Sequence, residues 1–348
     1  MPVLISTTAL DANIHGRPNV AFARFLVPRA ALIVLVASLA MNGCSAERAH
    51  PADSAQATRS ARIARIAPAA SSTSSPLSAA ASSRDDFGRP ISYGVHPQRV
   101  ASLNPTTTET IFAIGAGAIL VGRSHWDEWP VQAHGVPDLG NGIGPNTEAI
   151  ISAHPDLVIL YASEDNRSAA AQLESAGIRT LSLRIDRVAD FYRGIAIIGQ
   201  LLGDSSRAKL VADTVRRSLD AVAAATRNLP HPTVVWPLMD ASPMVVGGGS
   251  FMNELLQIAG ARNVYADVTR PSPIVSLEDV AARNPQFIIR GGEGGSDTDL
   301  SGAWRAVPAA AQHRIIRIPL TLVLRPSVQM GTAAATMARA LHPGIVLP

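Results

Sequence analysis

Cysteine is almost missing from this sequence: Cys44 is the only one in 348 residues. One thiol cannot close an intramolecular disulfide or build a cysteine-based metal cage, which excludes small disulfide scaffolds and zinc ribbons. Large aromatics are scarce too, at 4% of the chain, so the position of each one is informative. Charge of either sign is thin. With 30 Lys+Arg against 27 Asp+Glu the formal net charge is +3, too little over this length to track a phosphate backbone, and no nucleic acid is expected as a partner. Lysine is reduced to Lys209 among many arginines, a coding bias rather than a binding device. No apolar run approaches the roughly 20 residues that a membrane-spanning helix needs. What is present is a composition 47% hydrophobic and 16% charged, which suffices for packed cores in two lobes of ordinary domain size.

The longest apolar stretch, Ala30 to Ala40, follows Arg24 and Arg29. A positive flank leading into about a dozen apolar residues is the pattern of a secretory signal. Cys44 comes directly after Met41-Asn42-Gly43. This is similar to the lipobox of exported bacterial lipoproteins; Gly43 fits that pattern, while Met41 and Asn42 depart from it. The expectation is a lipoprotein-type signal peptide over residues 1–43 with acylation at Cys44, the alternative being a bystander cysteine in an export protein cleaved elsewhere. Residues 44–96 are then dominated by Ala, Ser, Pro and Arg, including Ser71-Ser72-Thr73-Ser74-Ser75-Pro76. Such a stretch buries too little apolar surface to offset chain entropy and reads as a flexible tether.

Beyond Gln98, short apolar runs alternate with helical patterns, the signature of α/β architecture with parallel strands. The segment Asn146 to Leu160 corresponds to Ser276 to Arg290. In each, a cap residue opens a helix bearing Glu148 or Glu278, and seven positions later Pro155 or Pro285 ends the helix and launches a buried strand. Earlier in each half, a helix stops at glycine: Ile114-Gly115 in the first, Ala259-Gly260 in the second. Two copies of one unit imply two similar lobes. Between them, Leu210, Val211, Val215, Leu219 and Val222 approximate helical spacing. The fold class expected is therefore α/β, with two Rossmann-like lobes joined by one long backbone helix: 97–204, the helix over 205–229, and 230–348.

These segments, together with Arg99 to Glu109, Leu120 to Pro130 and Val136-Pro137-Asp138-Leu139-Gly140, resemble the substrate-binding proteins of bacterial ABC importers that have a single spanning helix, the family of periplasmic vitamin B12-binding and ferric siderophore-binding proteins. The resemblance covers the whole folded body. It implies an extracytoplasmic protein, in the periplasm or on the outer face of the cytoplasmic membrane, that catalyses no reaction. On the same resemblance it is expected to capture a cobalt corrinoid, or alternatively haem or a ferric siderophore, and to hand it to an ABC permease dimer in the inner membrane. The chelate is cargo, so no cofactor is expected, and the protein is expected to be a monomer with a lipid anchor.

Candidate ligand contacts come from aromatics at strand ends, where α/β lobes bind ligands. Trp126 and Trp129 share the short loop Ser124 to Pro130; Tyr161 follows the run Leu157 to Leu160; Trp236 ends the run Thr233-Val234-Val235. Aromatic faces in both lobes suit a flat ligand, although Trp129 reads equally as a loop anchor and Trp236 equally as core. Arg290, Glu293 and Arg325 are expected on the polar side of the cleft. His125 is a weak candidate for direct metal ligation; the other histidines lack zinc-site spacing. The family resemblance assigns Glu148 and Glu278 to docking on the permease. It also marks a departure at Ser272, where the B12-binding pattern has an aromatic. A more distant alternative is an exported α/β enzyme using the same cleft, but Gly247-Gly248-Gly249-Ser250 is no nucleophile elbow, and Gly291-Gly292-Glu293-Gly294-Gly295 lacks the ending of a phosphate loop. Both read as tight turns.

Overall fold

The computed structural model describes residues 84–347 apart from Ala241, residues 293–299 and Ser301. The signal peptide, Cys44, Glu293 and most of the tether lie outside the described residues. Residues 84–96, which composition assigned to the tether, are packed instead. Asp85 is buried, and its carboxylate accepts hydrogen bonds from the backbone N–H groups of Phe87 (3.0 Å), Arg89 (2.8 Å) and Ser182 (3.0 Å). Asp86 accepts from Arg193 Nη2 at 2.8 Å, and the ring Nδ1 of His96 lies 2.9 Å from the Leu201 carbonyl. Two aspartates that satisfy backbone donors hold this segment down where apolar content would not.

The first lobe runs β1 (Val100–Ser102), α1 (Pro105–Ile114), β2 (Leu120–Arg123), α2 (Thr147–Ser152), β3 (Leu157–Tyr161), α3 (Glu164–Ser175), β4 (Arg179–Leu183) and α4 (Val188–Leu201). After α5 (Ser205–Thr226), the second lobe runs β5 (Thr233–Val235), β6 (Pro237–Met239), β7 (Met244–Val245), α6 (Phe251–Ile258), β8 (Arg262–Asn263), α7 (Leu277–Arg283), β9 (Phe287–Gly291), α8 (Pro308–Ala311), β10 (Ile315–Ile318) and α9 (Met330–Leu341). The first sheet is ordered β2-β1-β3-β4 and the second β8-β5-β9-β10, all parallel. Taken in order of appearance, both sheets are second, first, third, fourth. The second lobe differs by the inserted antiparallel hairpin β6–β7.

The repeat holds at residue level. Asn146 caps α2 through its side chain and Ser276 caps α7 likewise, which makes Glu148 and Glu278 the second residue of their helices. His154 (φ 48°) and Asn284 (φ 47°), each just before its proline, occupy the left-handed region at the helix ends, a conformation that a short polar side chain tolerates. Gly115 (φ 87°) and Gly260 (φ 77°) close α1 and α6 in the same region.

The 22-residue α5, about 33 Å long at 1.5 Å per residue, packs against α4 and α9. Val215, Leu219 and Val222 are buried as the spacing indicated, but Leu210 is exposed and Ala208 and Ala212 take the inner face. The helices touch too closely there for leucine: a Cβ on Gly199 would stand 2.2 Å from that of Ala208.

Candidate functional site

Between the lobes lies a cleft of about 650 Å³. The first lobe lines it with Leu103 to Thr106, Ser124, Trp126, Ile143, Tyr161 and Asp186; the second with Gly249 to Met252, Pro271, Ser272 and Leu324 to Pro326. A second hollow of about 310 Å³ shares Trp126, Leu324 and Arg325 with it and adds Glu128 and Trp129. Both spaces lie beyond the C-terminal ends of parallel strands, where turns leave side chains free to face a ligand.

Trp126 is 58% exposed, and its Nε1 donates to Asn141 Oδ1 at 2.9 Å. His125 stands edge-on to it at 5.4 Å. The loop beneath is braced from inside. Asn166, fully buried on α3, donates from Nδ2 to the carbonyls of Gly142 (2.8 Å) and Tyr161 (2.9 Å) and accepts from the Gly144 N–H (2.9 Å). One amide thus ties the 140–144 loop to the end of β3, fixing Ile143, Tyr161 and, through Asn141, Trp126. Tyr161 donates its hydroxyl to Asp186 at 2.8 Å.

Burial first, and then the hydrogen bond to Asp186, push the Tyr161 phenol up to about 12. The unfolded chain ionises tyrosine near pH 10. A raised native value therefore contributes stability that is complete below about pH 10 and is lost as pH rises towards about 12. Equilibrium unfolding of Tyr161→Phe across that window should fall less steeply with pH than the unchanged chain does.

On the second lobe, Gly247, Gly248 and Gly249 are demanded by close approach. Added Cβ atoms would stand 2.0 Å from the Arg270 carbonyl oxygen, 2.2 Å from that of Ala266 and 2.1 Å from that of Thr269. This tight turn brings the 266–271 chain alongside and puts Pro271 and Ser272 into the cleft wall. Ser250 caps α6, accepting from the Met252 N–H at 3.2 Å, and its hydroxyl serves backbone geometry. The Ser272 departure seen in the sequence therefore falls within the cleft itself.

Trp126, Tyr161 and Arg325 line the larger space, and Trp129, farther along the loop after β2, joins through the adjoining hollow next to its cis bond to Pro130. Trp236 does not belong to the site. It is 1% exposed and packed in the main core, because the β6–β7 hairpin folds back over the end of β5 and Val246 donates its N–H to the Trp236 carbonyl at 2.9 Å. Arg290 is also placed outside the cleft lining, held by Asp240 through bonds of 2.5 and 3.0 Å from its two terminal nitrogens. His125 is tied to Asp138 at 3.0 Å and lines neither space. Among the described residues no cluster of three or more His, Cys, Asp or Glu is arranged to hold a metal ion.

Arg325 reaches across the lobes. Its Nε and Nη2 lie 2.9 and 2.5 Å from Oε1 of Glu109, a buried residue of α1, and the Thr106 hydroxyl donates to the Pro326 carbonyl at 2.8 Å. On the other flank, Arg187 pairs with Glu254. Sequence reasoning missed Glu109, Ile143, Asp186 and Leu324. The exposure of Ile143 and Leu324, 45% and 56%, has no signature in a linear pattern. Glu148 and Glu278 are exposed, with no ion pair among the described residues. The Glu278 carboxyl is held below the usual range by its own N–H and then by the Ser276 hydroxyl.

Two matched α/β lobes enclosing an apolar cleft with polar edges define a receptor for a small ligand. The periplasmic binding protein family matches residues 100–321, and the chain belongs to that family; it is a substrate-binding protein of the ABC-importer class. It is similar to the ABC transporter substrate-binding lipoprotein YvrC of Bacillus subtilis, with 26% identity over 255 residues covering 71% of this chain and 81% of that one. The vitamin B12-binding protein of Salmonella typhimurium is 30% identical over 209 residues, covering 59% of this chain and 77% of its own. Among solved structures, the periplasmic heme-binding protein HutB of Vibrio cholerae shares the fold, with a TM-score of 0.64, 21% identity and coverage of 71% of this chain and 99% of that one.

Proposed function

We propose that this chain captures a corrinoid in the interlobe cleft, outside the cytoplasm, and delivers it to an ABC permease without catalysing a reaction. The observation that carries the reading is the pairing of exposed Trp126 and partly buried Tyr161 on one wall with the apolar Leu324 and the Pro271-Ser272 turn on the other. A flat macrocycle satisfies such walls by stacking on one side and apolar contact on the other. The vitamin B12-binding relative supports the corrinoid, and haem or a ferric siderophore is the alternative cargo for the same cleft.

In this reading Trp126, Trp129, Tyr161 and Arg325 contact the ligand, and Glu148 and Glu278 dock on the two halves of the permease dimer. Cys44 carries the lipid that holds the protein at the membrane face, with the residues that follow as a tether. The test is a fluorescence titration of the full chain with cyanocobalamin, haemin and ferric siderophores. Trp126 and Trp129 are exposed while Trp236 and Trp304 are buried, so quenching reports mainly on the cleft. Saturable quenching by cyanocobalamin at micromolar concentration or below is expected. Saturation by haemin or a siderophore alone would move the cargo to the alternative, and no saturation with any chelate would remove the reading.

A further inference from the structure

Arg325 is the only basic residue among the described residues lining either space of the cleft, and Asp186 and Glu128 are the acidic ones. Its guanidinium is already engaged. Glu109, 1% exposed, receives both Arg325 contacts on Oε1, and Oε2 is buried without a hydrogen bond of good geometry. Directly behind Ser124 lies a second buried carboxyl, Asp127, which accepts on Oδ2 from the Ser124 N–H and hydroxyl, both at 2.5 Å, and leaves Oδ1 unmatched. One carboxyl therefore holds the guanidinium directly, and a second stands behind Ser124 in the same water-poor wall. Burial raises the proton affinity of both, with Arg325 the main counterweight for Glu109 and Ser124 for Asp127.

The sign of the cleft does not depend on where those protons sit. With Glu109 and Asp127 both neutral, the one positive charge of Arg325 stands against two negative charges on Asp186 and Glu128, so the wall is negative; ionising either buried carboxyl makes it more so. The neighbouring cations stand outside the lining. Arg187 is paired with Glu254, and Arg184 donates to the Ala162 carbonyl. Arg270, next to Pro271, is exposed but outside the lining. An anionic chelate entering here meets, among the lining residues, no cation without a carboxylate partner and must be desolvated against carboxylates.

We propose that Glu109, assisted by Asp127, is a specificity-determining residue that spends the charge of Arg325 inside the protein, so that the cleft selects chelates with a neutral, amide-type periphery over those carrying carboxylates or catecholates. The proposal rests on the cleft being the chelate site, as argued under the proposed function, and adds to it a rule about ligand charge. Specificity here comes from refusing the wrong ligand rather than from an extra contact to the right one.

The test uses matched pairs with the full chain: cyanocobalamin against its monocarboxylic acids, and a neutral ferric trihydroxamate against a ferric triscatecholate. For whichever core binds, the neutral member should bind at least about tenfold more tightly. Glu109→Gln keeps the shape and a hydrogen bond to Arg325 but removes the charge, and should narrow that gap about tenfold or more, mainly by strengthening the anionic member; Asp127→Asn should act in the same direction. Melting curves identify any variant that fails to fold, and the unchanged chain alone still decides the charge preference. Equal affinity for neutral and anionic members, or an unchanged gap in both folded variants, overturns this inference while leaving the cleft assignment standing. Binding of no chelate removes both.

Discussion

Replacing Trp126 and Tyr161 together by alanine is expected to weaken cyanocobalamin binding by at least about thirtyfold while shifting the melting temperature by only a few degrees. The two effects separate because of where these side chains stand. Trp126 is more than half exposed and its indole N–H donates to a loop side chain, Asn141. Tyr161 ends β3 with its hydroxyl on exposed Asp186. Neither belongs to a core cluster, so little packing is lost in the free protein. Both rings line the cleft, where aromatic anchors dominate binding energy and losses of about 2 kcal/mol or more are usual for such truncations. At about 1.4 kcal/mol per tenfold, that gives the stated factor. Affinity within about threefold of the unchanged chain, measured by equilibrium dialysis, would contradict the cleft assignment.

Loss of transport with ligand binding intact is the expected result for Glu148→Ala combined with Glu278→Ala. Each glutamate is the second residue of a short helix, exposed, and free of ion pairs among the described residues. The local benefit is a small one, a carboxylate near a helix N-terminus. That benefit is already served in each helix by a neighbour, since Asn146 accepts from the N–H groups of Glu148 and Ala149 and Ser276 from that of Asp279. What capping leaves unexplained is repetition: the same residue stands at the same place in both lobes of a chain whose two sheets share one strand order. Two equivalent carboxylates fit a partner that presents two equivalent cationic sites. Rim charges of this kind act on encounter and orientation, so uptake should fall at least about tenfold, with chelate affinity changed less than about twofold. Normal uptake by the double variant would return both residues to helix capping.

Much of this architecture was legible because it is local or repeated. The prolines after α2 and α7, the caps before them and the glycines closing α1 and α6 mark boundaries by backbone chemistry alone, and their duplication announced two lobes. The site was legible where it depends on a short loop, as with Trp126 and Trp129. It was illegible where it depends on contacts between distant parts of the chain. Trp236 stands at the end of an apolar run as Tyr161 does, but a hairpin inserted only in the second lobe covers it. Arg325 was visible as a cation near a strand end, whereas its partner Glu109 lies 216 residues away on a helix whose burial no periodicity displays. The same reason hid residues 84–96, whose anchoring aspartates find their donors about a hundred positions later on β4 and α4.

The most direct measurement of the central claim is the crystal structure of this chain soaked or grown with cyanocobalamin. The account predicts ligand density between the lobes, with the macrocycle against Trp126 and Tyr161 on one side and against Pro271, Ser272 and Leu324 on the other. Density confined to another hollow, such as the one of about 420 Å³ between Arg89, Ile91, Glu174 and Arg179 behind β4, with the interlobe cleft empty, would contradict it.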